Sequence, residues 1–249
     1  MTAPDPLESI ERPVFNLDGH EVPFSPGQTV IQAALAAGVY IPHLCHHADF
    51  APHGSCKVCT CRINGRMATS CTFPASEGLE VESETPEVQE LRRDLVQFLF
   101  TEGNHFCPSC EQSGNCKLQA VGYDLGVLTG HYNPLFPDRP VDASHPDVLL
   151  DTNRCILCEL CVRASATMDG KSVFALSGRG ITKHLIVNAE SGRLADTQLA
   201  VGDKAMNVCP VGAIIRKRQG FRVPIGQRTY DAAPISRIAV QGETKGGTP

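Results

Sequence analysis

Eleven of the twelve cysteines in this chain fall into three groups whose spacing suits metal chemistry. Cys45, Cys56, Cys59 and Cys71 are separated by ten, two and eleven residues. A 2Fe-2S centre needs four thiolates, two on each iron, and a loop carrying several of them plus one later cysteine meets that need. A zinc site with four cysteine ligands could use the same residues. Cys61 has no partner of its own; a strand would leave it on the same side as Cys59, and it reads as a buried or spare thiol. The second group, within EGNHFCPSCEQSGNC, is His105, Cys107, Cys110 and Cys116. Three thiolates are one short for a 4Fe-4S cluster, and His105 is the nearest candidate for the fourth ligand. A neutral imidazole in place of a thiolate leaves the cluster less negative and easier to reduce, the logic that raises Rieske potentials. A zinc knuckle, or a histidine that only hydrogen-bonds nearby, would fit the same residues. The third group is Cys155, Cys158, Cys161 and Cys209, the last followed by Pro210. The close triplet can curl around one face of a cubane and the distant cysteine can close its last corner, so one 4Fe-4S cluster is the economical count.

The elements that must hold these groups are partly readable. Val14, Phe15 and Leu17 lead through Asp18-Gly19, a hairpin signal, to Val22 and Phe24, with Pro23 suggesting an edge strand. Thr29 to Ala37 reads as a short helix capped by Thr29 and stopped at Gly38. Thr60 to Ile63, then Asn64-Gly65 and Met67, gives a second hairpin. Thr85-Pro86-Glu87 opens a helix whose stripe Val88, Leu91, Leu95, Phe98 and Leu99 is expected to pack in a core. Residues 129–145 look like a linker. Strands are expected near Ser172–Leu176 and His184–Val187, then a helix leading into Cys209. The basic run at 216–218 reads as a solvated surface, and the chain after Arg228, ending in GETKGGTP, as a partly disordered tail. The fold class is α+β, with domains at 10–84, 85–128 and 146–228, a linker at 129–145 and a tail at 229–249.

Composition narrows the class. Hydrophobic residues make up 42% and charged residues 20%, which suits a globular protein with buried cores. The net charge of −5 disfavours a nucleic-acid partner. The first residues lack a secretory signal and no apolar run is long enough to span a bilayer, so a cytoplasmic address is expected. A reducing compartment disfavours disulfides and turns the cysteines toward metal. There is no glycine-rich nucleotide fingerprint and no nucleophile–base constellation, so no catalytic residue is assigned. His43, His46, His47 and His53 crowd the first cysteine loop, either as structural residues or shielding a cluster there.

The long first gap resembles the 2Fe-2S ferredoxin-like domain at the start of the large iron–sulfur subunit of respiratory complex I, and the elements before it agree with a β-grasp. The segment LFTEGNHFCPSCEQSGNCKLQAVGYDLG, Leu99 to Gly126, resembles the small helical domain with one histidine and three cysteine ligands shared by complex I, iron-only hydrogenases, formate dehydrogenases and diaphorases. One residue separates His105 from Cys107, where much of that superfamily has three. The third group resembles the single-cubane ferredoxin-like domain that follows. The order of all three groups matches over roughly residues 10 to 220. The wording and length place the chain nearest the diaphorase iron–sulfur subunit of bidirectional NAD-reducing nickel–iron hydrogenases. That resemblance implies one 2Fe-2S and two 4Fe-4S clusters, a flavin- and NAD-binding partner subunit and a hydrogenase small subunit. An electron-transfer subunit of a formate dehydrogenase or a complex I-like enzyme is the alternative, and a zinc-stabilised interaction module the rival from another class.

Overall fold

The computed structural model describes residues 12–243. In the first section β1 (Val14–Leu17) and β2 (His20–Pro23) form an antiparallel hairpin. Asp18 and Gly19 sit at φ 51° and 85°, as a two-residue turn with both centres left-handed requires. Helix α1 (Val30–Ala36) follows Thr29, whose N–H donates to the Gln32 side chain at 2.9 Å. A second hairpin pairs β3 (Thr60–Ile63) with β4 (Arg66–Thr69). Strand β5 (Glu80–Glu82) then inserts between β1, parallel, and β3, antiparallel, giving the order β2-β1-β5-β3-β4. Pro23 lies on the outermost strand, where its missing donor costs little. Phe15, Leu17, Val30, Ile31, Leu35, Ile63 and Val81 pack into a core that also takes in Cys59, Cys61 and Cys71.

Helix α2 (Pro86–Glu102) begins where Thr85 accepts the Val88 N–H at 3.4 Å. Its buried face overlaps the predicted stripe in part: Val88 is buried and Leu95 and Leu99 pack on the core, but Arg92, Val96 and Gln97 are buried too and Phe98 is 45% exposed. The helix touches both β3 and the following helix α3 (Lys117–Asp124), so its inward face is set by two partners rather than one. Arg92 sits at the centre of that face. Its guanidinium donates to the carbonyls of Thr60 and Ser83, to Ser83 Oγ and to Cys61 Sγ, at 2.9 to 3.4 Å.

The third section contains β6 (Val141–Asp142), β7 (Val148–Asp151), α4 (Leu160–Thr167), β8 (Phe174–Ser177), β9 (His184–Val187), α5 (Lys204–Asn207) and β10 (Ile214–Arg216). Strands β10, β7 and β6 make one antiparallel sheet, and β8 pairs with β9 in another. Strand β6 falls inside the stretch read as a linker, and β8 starts two residues later than expected because Ser172 is left-handed at φ 47°. His145, also in that stretch, is buried; its Nδ1 accepts from the N–H groups of Asp147 and Val148, so Nε2–H donates to Leu199 O at 3.0 Å. The basic run is solvated only at Arg218, since Arg216 donates to Val201 O and Asn207, and Lys217 to Ala143 O and His145 O.

The expected disordered tail holds a helix, α6 (Ile235–Glu243), which packs on α1 and α3. Ile235 is buried there and Ser236 Oγ donates to Asp124 at 2.6 Å, so an apolar anchor and a polar latch order the segment. The end of GETKGGTP from residue 244, and residues 1–11 on which the missing secretory signal was read, lie outside the described residues. Among the described residues no helix is long and apolar enough to cross a membrane.

Candidate metal centres

The structure gathers each predicted donor group. Cys45, Cys59 and Cys71 are buried and Cys56 is half-buried. Their side chains form one chain of neighbours: the Cys56 and Cys71 thiols hold the Cys45 thiol far below its usual range, and Cys71 brings Cys59 down to about 7, while Cys56 and Cys71 are pushed up in return. The Cys56 N–H points at Cys45 Sγ at 3.5 Å, with the next residue, Lys57, left-handed at φ 59°. Cys61 stays outside this chain, under Arg92, its thiol pushed up to about 11 by burial. Four thiols with inward N–H groups suit a small cluster of anionic sulfur ligands.

Nearby, the His43 Nδ1–H donates to Ile41 O at 2.8 Å and the ring meets His46 edge-on at 5.3 Å. Burial lowers both imidazoles, His46 to about 4, so both are neutral at pH 7. His47 packs on Phe50, and His53 Nε2 lies 3.1 Å from Glu159.

His105, Cys107, Cys110 and Cys116 line one cavity, together with Phe100 and Arg154. A short 3-10 turn at Cys107–Ser109 and the start of α3 at Cys116 present the three thiols. His105 packs edge-on against Phe100 at 5.5 Å, and its Nε2 is buried without a hydrogen-bond partner. Burial, then Arg154 and Arg139, lower this imidazole to about 4, leaving it neutral. A neutral, buried, unpartnered ring nitrogen beside three thiols is what an imidazole ligand requires. Space for the ring comes from Gly103, where an added Cβ would lie 2.5 Å from His105 Nε2 and 2.9 Å from Asn153 O. Gly103 has φ −112°, so alanine strains no backbone and its effect is steric alone. Gly103→Ala is therefore expected to cost the second centre its metal while the first and third are retained. Metal analysis per chain checks this; an unchanged content would sink it.

Cys155, Cys158, Cys161 and Cys209 line another cavity, whose walls are Ile156, Leu176, Leu185 and Val211. Leu157 and Glu159 are left-handed, at φ 53° and 62°, and alternate with the cysteines. This curls the loop so that the Leu157 N–H faces Cys155 Sγ at 3.5 Å; a leucine in that conformation is strained, and such strain clusters at functional sites. Burial pushes Cys155 up to about 11 and Cys158 and Cys161 well above the ordinary thiol range. A metal bound by these thiols would have to displace their protons.

The third group also touches the other two. Arg163, two residues after Cys161, donates to Cys45 O at 2.8 Å and Ala51 O at 2.9 Å and stacks over Phe50. Arg154, one residue before Cys155, reaches Cys110 Sγ at 3.5 Å. Pro210 O, next to Cys209, accepts from Lys117 N–H at 2.8 Å and lies 3.7 Å from Cys116 Sγ. Sequence reading passed over all three arginines, Arg92 included; nearness in sequence to Cys155 and Cys161 was the signal for Arg154 and Arg163.

Known proteins share this plan. Residues 12–86 match a family described as a 2Fe-2S iron-sulfur cluster binding domain. Residues 92–131 match the NADH-ubiquinone oxidoreductase-G iron-sulfur binding region, and 148–215 a 4Fe-4S single cluster domain. The chain is 31% identical over 223 residues to the mitochondrial NADH dehydrogenase [ubiquinone] iron-sulfur protein 1 of Solanum tuberosum, covering 88% of this chain and 29% of that protein. It superposes with a TM-score of 0.89 and 51% identity on a chain of an NAD+-reducing [NiFe]-hydrogenase crystal structure in the H2-reduced state, covering 92% of this chain and 97% of that one. It is 39% identical over 232 residues to the gamma subunit of the NAD-reducing hydrogenase HoxS of Cupriavidus necator, covering 93% of this chain and 98% of its relative. With its mixed helix-and-sheet 2Fe-2S and 4Fe-4S ferredoxin-like domains in that order, this chain belongs to the family of gamma subunits of NAD-reducing hydrogenases.

Proposed function

We propose that the chain relays electrons between a flavin- and NAD-binding diaphorase subunit and the small subunit of a nickel–iron hydrogenase, coupling hydrogen oxidation reversibly to NAD reduction in the cytoplasm. Cys45, Cys56, Cys59 and Cys71 hold a 2Fe-2S cluster on a β-grasp domain. His105, Cys107, Cys110 and Cys116 hold one 4Fe-4S cluster, and Cys155, Cys158, Cys161 and Cys209 a second. The observation that carries this reading is the cavity shared by three thiols and the unpartnered buried imidazole of His105. When bound, such clusters accept and release single electrons. The protein's part is to hold the donors, exclude water with apolar walls and aim N–H groups at the sulfurs, which together set the potentials.

Anaerobic analysis of the full chain is expected to give roughly ten irons and matching acid-labile sulfide, the sum of one two-iron and two four-iron centres. Zinc in place of iron ends the reading. Affinity capture from the native host is expected to bring hydrogenase subunits with the chain; a formate dehydrogenase catalytic subunit instead would redirect the partner assignment.

A further inference from the structure

Arg154 belongs to the third section by sequence, yet its guanidinium is spent on the second. The side chain is 19% exposed. Nε lies 2.9 Å from Asp151 Oδ2, while Nη1 lies 2.7 Å from Glu111 Oε2, 3.4 Å from Gly212 O and 3.5 Å from Cys110 Sγ. Gly212 permits this approach: a Cβ there would lie 3.1 Å from Cys110 Sγ and 3.3 Å from Arg154 Nη1. Asp151 fixes one edge of the fork and Glu111 the other, so the planar group is held against the sulfur rather than swinging free. Two carboxylates and one guanidinium leave this cluster of side chains with one net negative charge, so the local field depends on how closely the cation approaches the sulfur.

We propose that Arg154 is a tuning residue for the second centre, donating a charge-assisted hydrogen bond to the Cys110 thiolate and raising the reduction potential of the cluster held there. The proposal rests on the reading of His105, Cys107, Cys110 and Cys116 as one 4Fe-4S ligand set. Reduction adds negative charge to the cluster and its sulfurs, and a donor bearing positive charge interacts more strongly with the reduced form. Glu111 opposes this by engaging the same Nη1. The two residues therefore make opposite predictions: removing the cation lowers the potential, and neutralising Glu111 raises it. A residue that merely clamps the two sections together predicts neither sign.

The test is an anaerobic redox titration of the full chain carrying its clusters, followed by electron paramagnetic resonance, for the wild type, Arg154→Gln, Arg154→Lys and Glu111→Gln. At a fixed solution potential, Arg154→Gln is expected to move the reduced-to-oxidised ratio of the second centre about tenfold toward oxidised, which is about 59 mV for a one-electron couple. Arg154→Lys keeps the charge but loses the fork and should fall between. Glu111→Gln should shift the ratio toward reduced, and the first cluster should titrate as in the wild type in every variant. Full iron content with an unmoved second centre in Arg154→Gln and Glu111→Gln overturns the proposal. So does loss of that centre's iron from both Arg154 variants, which would make the residue a structural clamp. A wild-type chain with about six irons and no signal from this centre instead overturns the ligand reading beneath it.

Discussion

The His105→Cys chain is expected to keep its full iron content while its second cluster titrates at a potential lower by on the order of 100 mV. A fourth thiolate adds one negative charge to the cluster, and the reduced form carries that burden most. The scale follows from Rieske centres, where two imidazoles replacing two thiolates raise the potential by a few hundred millivolts relative to plant-type ferredoxins. His105 fits the exchange because its ring lines the same cavity as Cys107, Cys110 and Cys116, and its Nε2 has no hydrogen-bond partner to lose. A cysteine is shorter than a histidine, and Gly103 leaves the loop free of side-chain obstruction on that side. The measurement is a spectroscopically monitored redox titration beside the wild type. An unchanged spectrum and potential would show that His105 is not a ligand and that the fourth corner is held by another group.

Arg92→Met is expected to destabilise the chain by about 3–5 kcal/mol, since hydrogen bonds from a charged group count ~1.5–3 kcal/mol each and their loss leaves buried acceptors unsatisfied. The side chain is fully buried. Its loss strands the carbonyls of Thr60 and Ser83 at the junction of β3, β5 and α2. Glu84 Oε1, 4.0 Å from Nη1 and largely exposed, offers the cation only a weak counter-charge. The backbone carbonyls are therefore the main recompense for its burial. Arg92→Lys keeps the charge but cannot reach both carbonyls with one ammonium, so it should recover only part of the loss. Urea unfolding checks this: with a slope of about 1–3 kcal/mol per molar, the Arg92→Met midpoint should fall by roughly 1–5 M. A midpoint within a few tenths of a molar of the wild type would show that water or another donor replaces the guanidinium.

The contrast between these two residues shows what the sequence made legible. His105 was visible because a ligand ledger is arithmetic: three cysteines stood at cluster spacing beside one histidine. The hairpins at Asp18-Gly19 and Asn64-Gly65 were visible because left-handed backbone is a local demand that those residues meet. Arg92 was not visible, because a cation within an apolar stripe reads as the solvent side of a helix. Its acceptors include two backbone carbonyls, one of them 32 residues earlier, which no side-chain pattern announces. Arg154 and Arg163 lie near cysteines in sequence, but partners 44 and 118 residues away kept their contacts hidden. The final helix was missed because Ile235 and Ser236 dock on helices distant in sequence, while the sequence beyond it is glycine-rich.

The junction role of the third section bears on how the protein is made. The residues that grip Cys45 O, Cys110 Sγ and Cys116 Sγ are Arg163, Arg154 and Pro210, and each is synthesised after the cysteine it touches. The packing around both earlier cysteine groups is therefore complete only after the third section has been synthesised.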